Sequence, residues 1–179
     1  MLRLFAIFIV VSIFLVGFVV VIPFMPSQNL FAIVKGNCPN INFLWEHTFE
    51  HRRFVEHLPP CVVLEGVINN DPKISDEGDG DFKFDVTPDK GYGELMNTNN
   101  GKGMVIEIIC WSQPQPSYIK QHGDYCKNVD ARSHFPSLKY NDHVRITGKW
   151  VQDIGYPKPD HVQWNEIHPV EKIEILPKK

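Results

Sequence analysis

From Leu4 to Met25 the chain carries no charged side chain and is almost continuously apolar. About 22 residues at about 1.5 Å each make a helix of about 33 Å, enough for a hydrocarbon core of about 30 Å. Lipid offers the backbone no hydrogen-bond partner, so such a run is restricted to a helix, which satisfies its own amides. Arg3 and the α-amine precede it, which favours a cytoplasmic N-terminus with the remainder outside. A cleaved signal peptide is the competing reading. The run exceeds the usual apolar region of such a peptide, and it continues into Ile22-Pro23-Phe24-Met25-Pro26-Ser27 with no A-x-A site close behind. Segment 1–25 is read as an uncleaved signal anchor, with a cell-membrane location; on either reading the bulk of the chain is extracytoplasmic.

The chain of 179 residues has 18 Lys+Arg against 21 Asp+Glu, and all eight His lie beyond the apolar run. Arg3 is the one basic side chain at that end, so the exported part is more acidic than the whole. It has no basic run longer than Arg52-Arg53 or Lys178-Lys179. That lacks the electrostatic footprint of a nucleic-acid binder and leaves a protein, a glycan or a cation as the partner class. With 43% hydrophobic residues the composition is ordinary globular.

Four cysteines in an exported chain, Cys38, Cys61, Cys110 and Cys126, permit three pairings. Cys110–Cys126 closing a short loop is favoured, with Cys38–Cys61 as the remaining pair; free buried cysteines are the alternative. No C-x-x-C is present, so a zinc ribbon is not indicated.

Residues 26–59 read as a linker followed by a juxtamembrane helix over 40–58, ended by Pro59-Pro60. His47 and His51 would share a face of that helix, a weak metal signal against solvated His. Beyond it the pattern turns to strands: Cys61–Asn69, Asp81–Val86, Met104–Trp111, His143–Asp153 and about Val162–Leu176. Between the third and fourth lies an irregular stretch over 112–142, with a short helix near Tyr118–Cys126. Gly148 suggests a bend, and Pro169 a bulge or an edge. Five strands without βαβ spacing predict an all-β fold, a small five-stranded barrel of the oligonucleotide/oligosaccharide-binding type over 60–177, with an open sandwich as the alternative.

Strand period places Trp164, Glu166 and His168 on one side of the last strand. Asp153 and His161 flank the loop before it. Glu107, alone in an apolar strand, needs a partner. Two functions compete, with nucleic-acid binding by fold analogy a weaker third that the acidic charge opposes. One is a binding or interaction module whose ligand face includes Trp164, Trp150, Trp111, Asp153 and His161. The other is a metal-dependent hydrolase, in which Glu166 and His168 serve as ligands or as acid and base and His161 completes a divalent-metal set. A structural polar network is the bland alternative to both. Asp76, Glu77, Asp79, Asp81 and Asp85 form an acidic turn whose spacing does not match the twelve-residue calcium loop. No Ser or Cys nucleophile motif, Gly-rich phosphate loop or H-E-x-x-H occurs.

In order along the chain stand Gly78-Asp79-Gly80-Asp81-Phe82, Glu107-Ile108-Ile109-Cys110, Val144-Arg145-Ile146-Thr147-Gly148, Asp153, His161 and Glu166-Ile167-His168-Pro169-Val170. In these the chain resembles an uncharacterised family of exported or membrane-anchored microbial domains. That family has a DGD turn, an E-I-x-C strand, a V-x-V-T-G strand, a D-x-x-H-G-W loop and a closing E-I-H-P-V. The resemblance spans roughly residues 54–175 and implies a barrel of the same type, with no known activity. The loop between Asp153 and His161 is longer here, with Pro157 and Pro159, and His161-Val162-Gln163-Trp164 stands in place of His-Gly-Trp.

Overall fold

The structure, a computed structural model, describes residues 34–48, 54–56, 59, 61–92, 103–154 and 164–178. Every described residue belongs to one compact unit, Phe31–Lys179. The expected span over 4–25, like His51 and His161, lies outside the described residues. Among the described residues no helix is long and apolar enough to cross a membrane.

The elements in order are β1 (Val34–Lys35), α1 (Ile41–Glu46), β2 (Phe54–Glu56), β3 (Val62–Ile68), β4 (Lys73–Ile74), β5 (Phe82–Pro88), β6 (Met104–Ile108), α2 (Pro116–His122), a 3-10 turn (Arg132–His134), β7 (His143–Asp153) and β8 (Trp164–Ile175). Five of them form the barrel. β3 pairs antiparallel with β5, and β5 with β6. β6 runs parallel to β8 through Val105↔Glu166 and Ile106↔Ile167, and β8 returns antiparallel along β7. β7 then pairs with β3 from Val62↔Gly148 to Val67↔His143. That last ladder closes the sheet on itself and excludes the open sandwich.

Alternation makes the core. Along β3 buried and half-buried residues alternate without a break. Leu64, Phe84, Met104, Ile106, Ile108, Ile146 and Ile167 fill the inside of the barrel from all five strands. Where β7 and β8 coil around the barrel their register slips twice, at Thr147/Gly148 and between Gly148 and Trp150. Gly148 sits at the slip because a Cβ there would stand 2.7 Å from the Pro169 carbonyl oxygen and 2.5 Å from Ile167 Cγ2. Pro169, with no N–H to donate, falls in the same irregular stretch.

Three expectations need correction. Among the described residues the helix expected over 40–58 is Ile41–Glu46, and Phe54–Glu56 is a strand paired with β7 at Phe54↔Asp153. Pairing on the β7 edge and burial of Phe54 outweigh local helix preference. Within segment 26–59, Val34–Lys35 and Phe54–Glu56 are strands of the barrel sheet rather than linker or helix. The third strand stops at Ile108, because Cys110 takes a positive φ of 54° and turns the chain.

Both disulfides form as favoured. Cys38–Cys61 joins the β1–α1 connection to the start of β3, and Cys110–Cys126 joins the end of β6 to the segment after α2. The helix of the irregular stretch starts at Pro116, preorganised for a first turn, and stops at Gly123 with φ of 86°.

Candidate functional site

Because Phe84, Ile106 and Ile167 point inward, the residues of opposite parity on the same strands point outward. On β5 this is Lys83, on β6 Glu107, on β8 Glu166 and His168. Lys83 and Glu107 are register partners, and Glu166 lies one strand further on, opposite Val105. The hairpin that leads into β5 adds Asp81. Five ionisable groups thus converge on the outer wall of the barrel. Four of them are nearly closed to solvent: Glu166 is 1% exposed, Asp81 and His168 4%, and Glu107 8%.

His168 is the hub. Its Nδ1 lies 2.9 Å from Glu107 Oε2 and 3.2 Å from Glu166 Oε2. Its Nε2 faces Asp81 Oδ2 at 3.9 Å, too far for a hydrogen bond, and is buried with no hydrogen-bond partner. Glu107 also pairs with Lys83, and the Trp164 indole N–H donates to Glu166 Oε1. The Asp81 carboxylate accepts the Cys110 amide at 2.8 Å, and its own amide donates to Asp79 Oδ1 at 3.1 Å. Burial alone would lower the His168 pKa; the facing Glu107 carboxylate, and then Glu166, push it up to about 10. Glu107 is held well below the usual carboxylate range, since Lys83 and His168 outweigh its burial. Burial raises Asp81, with Asp79 adding to the rise, and burial with the Glu107 charge raises Glu166.

The lid is aromatic. The Phe54 ring meets the His168 ring edge-on at 4.9 Å between centroids. Beyond it Trp45 packs at 6.0 Å from Phe54 and carries Lys149 Nζ 4.0 Å above its own ring. Lys149 is paired in turn with Glu56 at 2.8 Å.

Of the groups expected from sequence, Trp164, Glu166 and His168 stand together. Glu107 has the partners a buried carboxylate requires. Asp153 is buried at the end of β7, in register with Phe54 and Trp164. Trp150 belongs to the inner core rather than to a ligand face, as its alternation with Val144 and Ile146 dictates. Trp111 stacks on Phe82 at 4.3 Å. The acidic turn does not gather its carboxylates. Asp76 binds Lys73, Asp85 accepts from Asn70, and Asp79 and Asp81 take backbone amides. His47 Nδ1 lies 2.5 Å from the Tyr125 carbonyl oxygen, tying α1 to the segment after α2. Lys83 was missed. Its only signal is its place between Phe82 and Phe84, which face inward.

Among the described residues two groups of His and carboxylate donors are close enough to hold a cation: Asp81, Glu107 and His168, all buried, and Glu65, Asp89 and His143. In the second, His143 Nε2 is bonded to Asp89 at 2.9 Å and Glu65 accepts from Arg145 at 2.8 Å. Apart from both, a half-open groove of about 300 Å³ runs beside α1, with Leu44, Ile109, Val129 and Phe135 in its wall and Asn40 and Glu171 among its polar groups. No protein-family model matches the sequence, and comparison with curated proteins finds no match.

Proposed function

We propose that this chain is a membrane-anchored, extracytoplasmic binding or interaction module built on a barrel of the oligonucleotide/oligosaccharide-binding type. The helix over 4–25 is its anchor. In such barrels the second and third strands and the loops around them meet ligand. The strand order here, β3-β5-β6-β8-β7 closing on β3, fits that type. The acidic exported part favours a peptide, a glycan or a cation over a polyanion. One observation carries the reading. Glu166 and His168 are turned into a closed, mutually bonded cluster, while the apolar groove beside α1 stands half open. At about 300 Å³ it is at the small end of ligand sites and fits a short apolar segment with polar groups at its edge.

The test is an amide chemical-shift titration with peptides and oligosaccharides. Shifts confined to Leu44, Val129 and Phe135 support the reading; a spectrum unmoved by every ligand overturns it. Labelling of intact cells that reaches Lys179 and not Met1 supports the topology. The alternative, a metal-dependent hydrolase using Glu166 and His168, draws on the donor set around His168. It requires a substrate to reach groups that Phe54 and Trp164 cover.

A further inference from the structure

We propose that Asp81, Glu107 and His168 hold one divalent cation of the zinc class, and that this cation is a structural pin rather than a catalyst. The inference stands independently of the groove and its ligand.

The geometry comes first. A buried imidazole nitrogen without a hydrogen-bond partner is costly, and Nε2 of His168 is one, aimed at a carboxylate oxygen 3.9 Å away. That gap is too long for a hydrogen bond. Zinc binds imidazole nitrogen at about 2.0–2.1 Å and carboxylate oxygen at about 2.0–2.2 Å, so one ion bridges donors up to about 4 Å apart. Glu107 belongs to the same donor group, in which one ligand atom of each of the three residues lies within 4.8 Å of the others.

The other ring nitrogen supports the same assignment. A metal-binding imidazole as a rule gives its second N–H to a carboxylate, which fixes ring and tautomer. Here Nδ1 sits between Glu107 and Glu166. In the proposed state Nδ1 keeps its proton on Glu166, Glu107 turns its carboxylate to the cation, Nε2 gives the cation its lone pair, and any proton on Nε2 leaves to solvent.

Charge points the same way. Asp81, Glu107 and Glu166 are three carboxylates faced by one permanent cation, Lys83, in a closed site. Behind Asp81, Asp79 is held by the Asp81 amide and the Ser75 hydroxyl. A neutral His168 with a dication balances the three carboxylates and Lys83; an imidazolium alone leaves one negative charge over. Imidazole nitrogen beside carboxylate oxygen suits zinc or manganese, whereas calcium and magnesium favour oxygen alone. Asp81, Glu107 and His168 are all buried and Phe54 covers the His168 ring, so the ion would fasten the 75–81 hairpin to β6 and β8.

The experiment uses the full chain, purified in detergent without a polyhistidine tag. Elemental analysis after gel filtration should give about one zinc or manganese per chain. After chelation, added Zn²⁺ should raise Tm by about 5 °C or more at a hundredfold excess over Kd, and Ca²⁺ should not. D81N and H168Q should lose both signals, while H122Q/H134Q, which removes two exposed imidazoles, should keep them. Should D81N or H168Q fail to fold, the metal content and Zn²⁺ shift of the unmutated chain and of H122Q/H134Q decide alone. The proposal is overturned by a metal-free chain whose Tm ignores Zn²⁺, by folded D81N that binds as before, or by binding that vanishes in H122Q/H134Q.

Discussion

Lys83 on β5 and Glu107 on β6 occupy the same register step, and their side chains meet as an ion pair on the outside of the barrel. The pair is mostly shielded, with the Glu107 side chain 10% and the Lys83 side chain 27% exposed. Removing one partner of a shielded pair costs more than removing both, because it strands a charge. Lys83→Ala should cost about 3 kcal/mol in urea unfolding. The double variant Lys83→Leu/Glu107→Gln, which leaves no stranded carboxylate and keeps an acceptor for His168, should be the more stable of the two. A double variant worse than the single would refute the ion-pair account.

Tyr125 carries the clearest pH dependence. Its hydroxyl donates to the Asp79 carbonyl oxygen at 2.7 Å. Burial, then the charge of Asp81, holds the phenol well above its usual value. A raised folded pKa means the unfolded chain releases this proton first, at about pH 10. The stabilisation is therefore complete below about pH 10 and declines as pH rises beyond it. Thermal unfolding from pH 8 to 11 should show Tyr125→Phe less stable by about 1 kcal/mol at pH 8, with the gap narrowing above pH 10. A constant gap would contradict this.

The Cys110–Cys126 bridge spans 16 residues, a loop for which chain entropy predicts about 3 kcal/mol. Cys110→Ser/Cys126→Ser should lower stability by that order, read by denaturant unfolding. Hydrogen exchange should rise at Ile109 and Val129, which pack around the bridge.

Gly148 admits no side chain. Gly148→Ala would press on the Pro169 carbonyl and on Ile167, and should cost about 2–3 kcal/mol. Calorimetry measures this directly; an unchanged Tm would show that the β7–β8 slip yields easily.

Much of this architecture is legible in residue order. Val144, Ile146 and Trp150 alternate with Arg145, Thr147 and Lys149, and that rhythm fixes both the strand and its inner face. Glu107 stands out among Ile106 and Ile108, and a two-residue period groups Glu166 with His168. Lys83 and Asp81 are different. They reach the cluster only through the β5–β6 register, and the connection from Asp89 to Gly103 is too long for a turn type to set it. Phe54 was hidden for a related reason. Three residues are too few to display a period, and their partner on β7 lies nearly a hundred positions away.

The parallel contact between β6 and β8 has a consequence for assembly. β8 is the shared neighbour of β6 and β7, so a ribosome that has delivered everything through Asp153 has produced two unpaired borders and no cylinder. The seam cannot be sewn until Trp164–Ile175 arrives, and with it come Glu166 and His168, which complete the charged group on the outer wall. Shape and site are thereby finished in the same late step.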